Sequence, residues 1–111
     1  FLFGNPSSIH WAGRKSKNKI RDARANIAQL FGVSPLEIVF TSGASESNNT
    51  IIKTTFLHSP TKHFITSQVE HPSVMKTMQY IQGLGAHVDY VPVNREGQLD
   101  LDFYRSVLSE N

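Results

Sequence analysis

Short β-branched runs alternate with longer helix-period stretches along this chain, and that alternation constrains its fold most. Residues 37–41, 63–67 and 87–91 read as strands, and the first is an unbroken run of β-branched and aromatic residues after Glu37. Unbroken apolar runs suit strands covered on both faces. Residues 13–31, 44–57, 72–82 and 100–108 read as helices. Gly32 follows the first helix as a left-handed terminator, Pro72 suits the first turn of the third, and Asp100 caps or opens the fourth. Ile20, Ala23, Ile27 and Leu30 make a stripe on the first helix, Val74, Met78 and Ile81 one on the third, and Leu101, Tyr104 and Leu108 one on the fourth. Residues 1–12, rich in Gly, Asn, Pro and Ser, read as loop.

Helix–strand alternation is the pattern of an α/β fold, a mainly parallel sheet with crossover helices in three αβα layers. Ligands of such sheets bind beyond the carboxyl ends of the strands. Two segments fall there: TSGASESNN at 41–49, and Gln68-Val69-Glu70-His71. Consecutive elements usually pack side by side, so the two are expected to meet. A helix opening at Ala44 offers free N–H groups and the positive end of its dipole. Gly43 permits close approach, and Ser42, Ser45 and Ser47 add hydroxyl donors, a set that suits a phosphate group. The same residues also suit an ordinary helix cap, and spacing alone leaves both open; no Gly-Lys-Ser/Thr follows, so this is not a P-loop. His71, just past a strand end, is the second candidate, suited to ring stacking or proton transfer. His58, His63, Glu70 and His71 fit no zinc-ligand spacing, so no metal is expected.

Composition narrows the function classes. With 111 residues the chain is at most one small domain, and 39% hydrophobic against 18% charged residues is a globular rather than a disordered balance. No apolar run approaches the roughly 20 residues of a membrane span. Arg14, Lys15, Lys17, Lys19, Arg21 and Arg24 cluster within eleven residues, yet the net charge is only +2. These cations point away from the apolar stripe and lack an aromatic platform, so a solvated helix face is expected and nucleic acid is not. Cysteine is absent, which excludes disulfides and a thiol nucleophile within these residues. The chain starts at Phe1 without an initiator methionine, so an internal piece of a longer protein is expected.

Several strings together resemble one family. GNPSSIH at 4–10, Gly13-Arg14, Ala23-Arg24, EIVFTSGASESNN at 37–49, FITSQVEHPSV at 64–74 and VDYVPVNREGQLD at 88–100 occur in the order and at the separations found in cysteine desulfurases. These are pyridoxal-phosphate enzymes of the class-V aminotransferase group, and the resemblance favours the branch serving iron–sulfur assembly and nitrogen fixation. It covers nearly the whole chain, and implies that residues 1–111 are one partial domain, the N-terminal part of the cofactor-binding large domain, with 1–12 as an entrance loop.

The resemblance also implies roles. Ser42, Gly43, Ala44 and Ser45 match the family's phosphate-binding turn, with Gly43, Ala44 and Ser45 as cofactor contacts. Ser45 replaces the usual threonine, which keeps the hydroxyl and loses a methyl. His71 matches the histidine that stacks on the pyridine ring and assists proton transfer. Asn5 and His10 match the active-site entrance. The implied reaction converts L-cysteine to L-alanine and passes sulfur, through a persulfide on an enzyme cysteine, to an iron–sulfur scaffold or other acceptor protein. A cytoplasmic homodimer is implied. The family's cofactor-holding lysine lies in a His-Lys string that does not occur here, Lys53, Lys62 and Lys76 match nothing in it, and the nucleophilic cysteine is absent. The chain alone is therefore expected to be inactive. Other readings are a class-V aminotransferase with another amino-acid substrate, and a non-catalytic anion-binding or interaction module.

Overall fold

The computed structural model describes residues 4–7, 10–60 and 62–109, so Ser8 and Ile9 of the opening string lie outside the described residues. The chain forms two compact units, Phe1–Phe40 and Thr41–Asn111.

The first unit is built on helix α1, Trp11–Phe31. It starts two residues before the expected position because His10 caps it, its Nδ1 accepting from the Gly13 N–H at 3.4 Å. It ends at Gly32, whose φ of +66° lies in the left-handed region, so the Gly32 and Val33 N–H groups turn back onto the Gln29 and Ala28 carbonyls. A 3-10 turn, Pro35–Glu37, follows. Ser34 and Glu37 close it reciprocally, the Ser34 N–H donating to Glu37 Oε2 at 2.7 Å and Ser34 Oγ accepting from the Leu36 N–H.

The strand expected at 37–41 does not form. Ile38 has extended dihedrals, but residues 38–41 have no ladder partner among the described residues. A β-rich run without a partner has nowhere to send its backbone hydrogen bonds. Arg24 supplies one substitute. Its Nε–H donates to the Ile38 carbonyl at 3.2 Å, and its guanidinium lies 5.0 Å from the Phe40 ring centre. The expected α1 stripe is also mostly uncovered: Ile20, Ala23 and Leu30 are exposed and Ile27 is half-buried, while Ala28, which is buried, lies outside the stripe. Among the described elements of this unit only the 3-10 turn packs on α1, too little surface to cover a long amphipathic helix.

The second unit holds helix α2 (Ala44–His58), strand β1 (His63–Ser67), helix α3 (Pro72–Gly83), strand β2 (His87–Val91) and helix α4 (Leu101–Ser109). β1 and β2 pair in parallel with His63 opposite His87 and Ser67 opposite Val91. α3 is their crossover, as parallel pairing demands. The described residues thus make an α/β arrangement of two parallel strands and four helices, one strand fewer than the sequence suggests.

The core lies between α3 and the strand pair. Ile81 has no exposed surface and packs with Met78, Ala86 and Val88; Ile52, Phe56, Phe64 and Val74 close around them. Thr77 is buried there at no polar cost, its hydroxyl donating to the Ser73 carbonyl at 2.7 Å. α3 therefore buries the expected stripe. α4 does not. Asp100 caps it, one of the two roles expected for it, Oδ1 accepting from the Asp102 and Phe103 N–H groups. Yet Val107 is its buried residue, and Leu101, Tyr104 and Leu108 are 53%, 40% and 49% exposed. The helix is rotated so that the Phe103–Val107 line, four residues apart, faces inward. No helix among the described residues is long and apolar enough to cross a membrane.

Replacing Ile81 with alanine is expected to destabilise the fold by about 2–5 kcal/mol, the cost of a core cavity. Leu57→Ala, at a side chain 67% exposed, should cost far less. Denaturant titration of both variants checks this, and equal losses would remove Ile81 from the centre of the core.

Candidate functional site

α2 opens with Gly43 in a near-extended conformation, φ 160° and ψ −179°, and no side chain caps it. Gly43 also has no atom within 4 Å of where a Cβ would stand. Neither strain nor crowding inside the chain requires a glycine here, and the backbone is open to an approaching group.

Four side chains shape this turn. Thr41 Oγ1 lies 3.2 Å from the Gly43 carbonyl and 2.8 Å from Ser47 Oγ; with its one proton on the carbonyl, Ser47 donates to it. Glu46 reaches back, and Oε2 accepts from the Ser42 N–H at 2.6 Å and the Ser42 hydroxyl at 2.7 Å. The Ser42 backbone donor first, and its hydroxyl second, hold the Glu46 carboxyl below its ordinary range. The carboxylate also sits where the helix dipole favours negative charge. Glu46 thereby satisfies Ser42 and leaves the first-turn N–H groups of Ala44 and Ser45 without a described protein acceptor. The Ser45 hydroxyl stands beside them, while its carbonyl accepts from Asn49 Nδ2 at 3.0 Å.

His71 is the N-cap of α3, a role its position before Pro72 and Ser73 signals and ring stacking alone does not. Its Nδ1 accepts from the Ser73 N–H at 3.1 Å and lies 2.9 Å from Ser73 Oγ. Asn48 Nδ2 donates to that same oxygen at 3.0 Å. A consistent proton order follows: Asn48 donates to Ser73 Oγ, and Ser73 donates to His71 Nδ1. The neutral ring then carries its proton on Nε2. The exposed His71 ring is thus held through one nitrogen.

The two candidate segments therefore meet, by a route other than the expected one. Adjacent strands were to join them; instead α2 packs on α3, and Asn48–Ser73 ties the two helix starts. Beside them, at the carboxyl ends of β1 and β2, lies a cavity of about 300 Å³ lined by Ser67, Glu70, Val91 and Tyr104 among others, where Ser67 Oγ donates to Glu70 Oε1 at 2.9 Å. Asn5 and His10 belong to the first unit. Asn5 Oδ1 accepts from the Ser7 N–H in a local turn, and His10 caps α1. Lys53 lies over the Tyr80 ring and Lys62 donates to the Phe56 carbonyl, so both are engaged away from the α2 start.

The model of the class-V aminotransferases matches residues 2–111. The chain belongs to that family. It is 44% identical over 111 residues to the cysteine desulfurase IscS of Dictyoglomus turgidum, covering 98% of this chain and 28% of the relative. A solved NifS-like protein superposes with a TM-score of 0.76 at 39% identity, covering 93% of this chain and 29% of that one. A structure of SspA in complex with cysteine superposes with a TM-score of 0.69 at 43% identity, covering 83% and 27%. The chain is thus a homologue of cysteine desulfurases and spans under a third of the relatives it matches.

This family of aminotransferases uses pyridoxal phosphate, and the α2 start fits its phosphate end: two backbone donors, a hydroxyl, a helix dipole and an open glycine. Sequence reasoning named Gly43, Ala44, Ser45 and His71 but missed Thr41, Asn48 and Ser73, whose hydrogen bonds fix them. The Pro and Ser after His71 were the available signal for the cap.

The Glu46 carboxyl is expected to titrate below its ordinary value of 4.5. A depressed folded-state value means that the Glu46–Ser42 lock is complete above about pH 4.5 and is lost as pH falls through the lowered value. Carboxyl-carbon NMR across that range reads it directly. Ser42→Ala should move the midpoint part of the way up, because the backbone donor stays; a wild-type midpoint at or above the ordinary value contradicts the geometry.

Proposed function

We propose that this chain is part of the large, three-layer αβα domain of a pyridoxal-phosphate-dependent cysteine desulfurase. Both compact units belong, on this reading, to that one domain. The observation that carries the proposal is the pairing of open donors at Ala44 and Ser45 with a fixed histidine at the start of the next helix. The cofactor, when bound, supplies an electron sink that labilises bonds at the substrate α-carbon.

The chain's own residues have separable tasks. The Ala44 and Ser45 N–H groups and the Ser45 hydroxyl bind the phosphate and set the cofactor's depth. Glu46 orders the turn by holding Ser42 and faces away from the phosphate donors. His71, oriented through Nδ1 by Ser73 and Asn48, would stack on the cofactor ring and assist proton transfer there. Asn5 and His10 match the family's active-site entrance segment by sequence.

The substrate is L-cysteine, the products are L-alanine and a persulfide-borne sulfur, and the sulfur passes to an iron–sulfur scaffold or other acceptor protein. The enzyme works as a cytoplasmic homodimer. The cofactor-holding lysine and the nucleophilic cysteine come from other parts of the polypeptide, since the family's His-Lys string and any cysteine are missing from these residues. The exposed apolar side chains of α1 and of residues 38–40, such as Leu30 and Val39, support a larger domain that covers them.

In the complete polypeptide, Ser45→Ala is expected to weaken pyridoxal phosphate by about tenfold, the worth of a hydrogen bond to a charged group. The same variant should bind pyridoxal, which lacks the phosphate, as the wild type does. Equal losses for both ligands would separate Ser45 from the phosphate. The chain of residues 1–111 with added cofactor should release no alanine from cysteine, and measurable turnover would overturn the division of labour described above.

A further inference from the structure

We infer that His63, His87 and Asp89 form a binding site for a divalent transition-metal ion, zinc in the first instance, at the opposite end of the strand pair from His71. His63 and His87 open β1 and β2 and are direct partners in the parallel register. Asp89 is two residues along β2 from His87, so its side chain leaves the same face of the sheet. Parallel pairing and the two-residue period thus converge three ligand-type side chains from two strands. This inference does not rest on the reading of the α2 start.

Their geometry is close to what an ion requires. Each residue's ligand atom lies within 4.8 Å of the others, and among the described residues no other such group exists. His63 Nε2 is 2.6 Å from Asp89 Oδ2, and His87 Nε2 is 3.7 Å from Asp89 Oδ1. The two imidazole rings stack with centres 4.8 Å apart and planes 20° from parallel. Tetrahedral zinc bonds of about 2.0–2.2 Å place ligand atoms about 3.3 Å apart. The His87–Asp89 separation already approaches that value. The His63–Asp89 contact is shorter because a proton bridges it; for an ion to take that place the neutral His63 ring carries its proton on Nδ1 instead, which frees the Nε2 lone pair.

Ligand chemistry selects the metal. Two imidazoles and one carboxylate suit zinc, cobalt or nickel, whereas calcium and magnesium want oxygen. The His63 and Asp89 side chains are 11% and 20% exposed and that of His87 is 69% exposed, so the site is walled on two sides and open on the third. Water completes the coordination at the open position. Because the ligands come from both strands, the ion clamps β1 to β2.

The test uses the natural polypeptide that carries this sequence, stripped of metal by a chelator and titrated with cobalt(II). The expected result is a saturable visible absorption of a four-coordinate site, displaced by one equivalent of zinc. His87→Ala, at an exposed position that the core does not need, and Asp89→Asn should each weaken binding at least about tenfold. In the wild type, cobalt's paramagnetic shifts should fall on ring protons of His63 and His87 in NMR spectra. Binding unchanged by both substitutions, shifts confined to His58 or His71, or no saturable binding would each overturn the inference.

Discussion

Burial of Ile81 is the constraint from which the second unit's layout follows. α3 can hide Ile81 and Met78 only by lying across the strand pair, against Ala86 and Val88. A helix that leaves the end of one strand, crosses the sheet and feeds the next must return to the starting edge, which makes the pair parallel. Parallel strands have two chemically distinct ends. At the carboxyl end stand Ser67, Glu70 and the His71 cap; at the amino end stand His63 and His87. One packed side chain thus polarises the unit.

At the carboxyl end, the local electrostatics depend on how Glu46 is occupied. A carboxylate in the first turn of α2 is the natural competitor of any anion at that helix start. Its two bonds to Ser42 draw it back toward the residue before the cap. The donors farther into the turn remain open, and the Thr41–Ser47 pair holds the loop's other edge. The Glu46 carboxylate and the open first-turn donors share one helix start because they involve different N–H groups.

Helices and the two paired strands were legible because their determinants are local. Gly32, Pro72 and Asp100 set their boundaries through dihedral preference and side-chain caps, which any neighbour sees alike. The run 37–41 was misread because its β-branched residues describe a strand, and a strand also needs a partner; Arg24 takes the Ile38 carbonyl instead. On α4 the expected line was Leu101, Tyr104 and Leu108, and the burial of Val107, with Phe103 half-buried on the same line, is decided by what lies beneath. The motif residues Gly43, Ala44, Ser45 and His71 were legible as types. The Asn48–Ser73–His71 connection was not, since it joins residues 25 apart and depends on helix packing. His63 was weighed with the wrong neighbours for the same reason: sequence spacing pairs it with His58, and sheet register pairs it with His87.

That register has a further consequence for the amino end. Stacked imidazoles beside one carboxylate are a compromise in the metal-free chain. His63 is held tightly by Asp89, whereas His87 reaches the other oxygen only at 3.7 Å and stays mostly in solvent. A single carboxylate cannot serve two imidazoles equally at hydrogen-bond distance while their rings remain stacked. A divalent ion bound as inferred removes that inequality, because coordination takes one ligand atom from each of the three residues and does not ask one carboxylate to hold two imidazoles by hydrogen bonds.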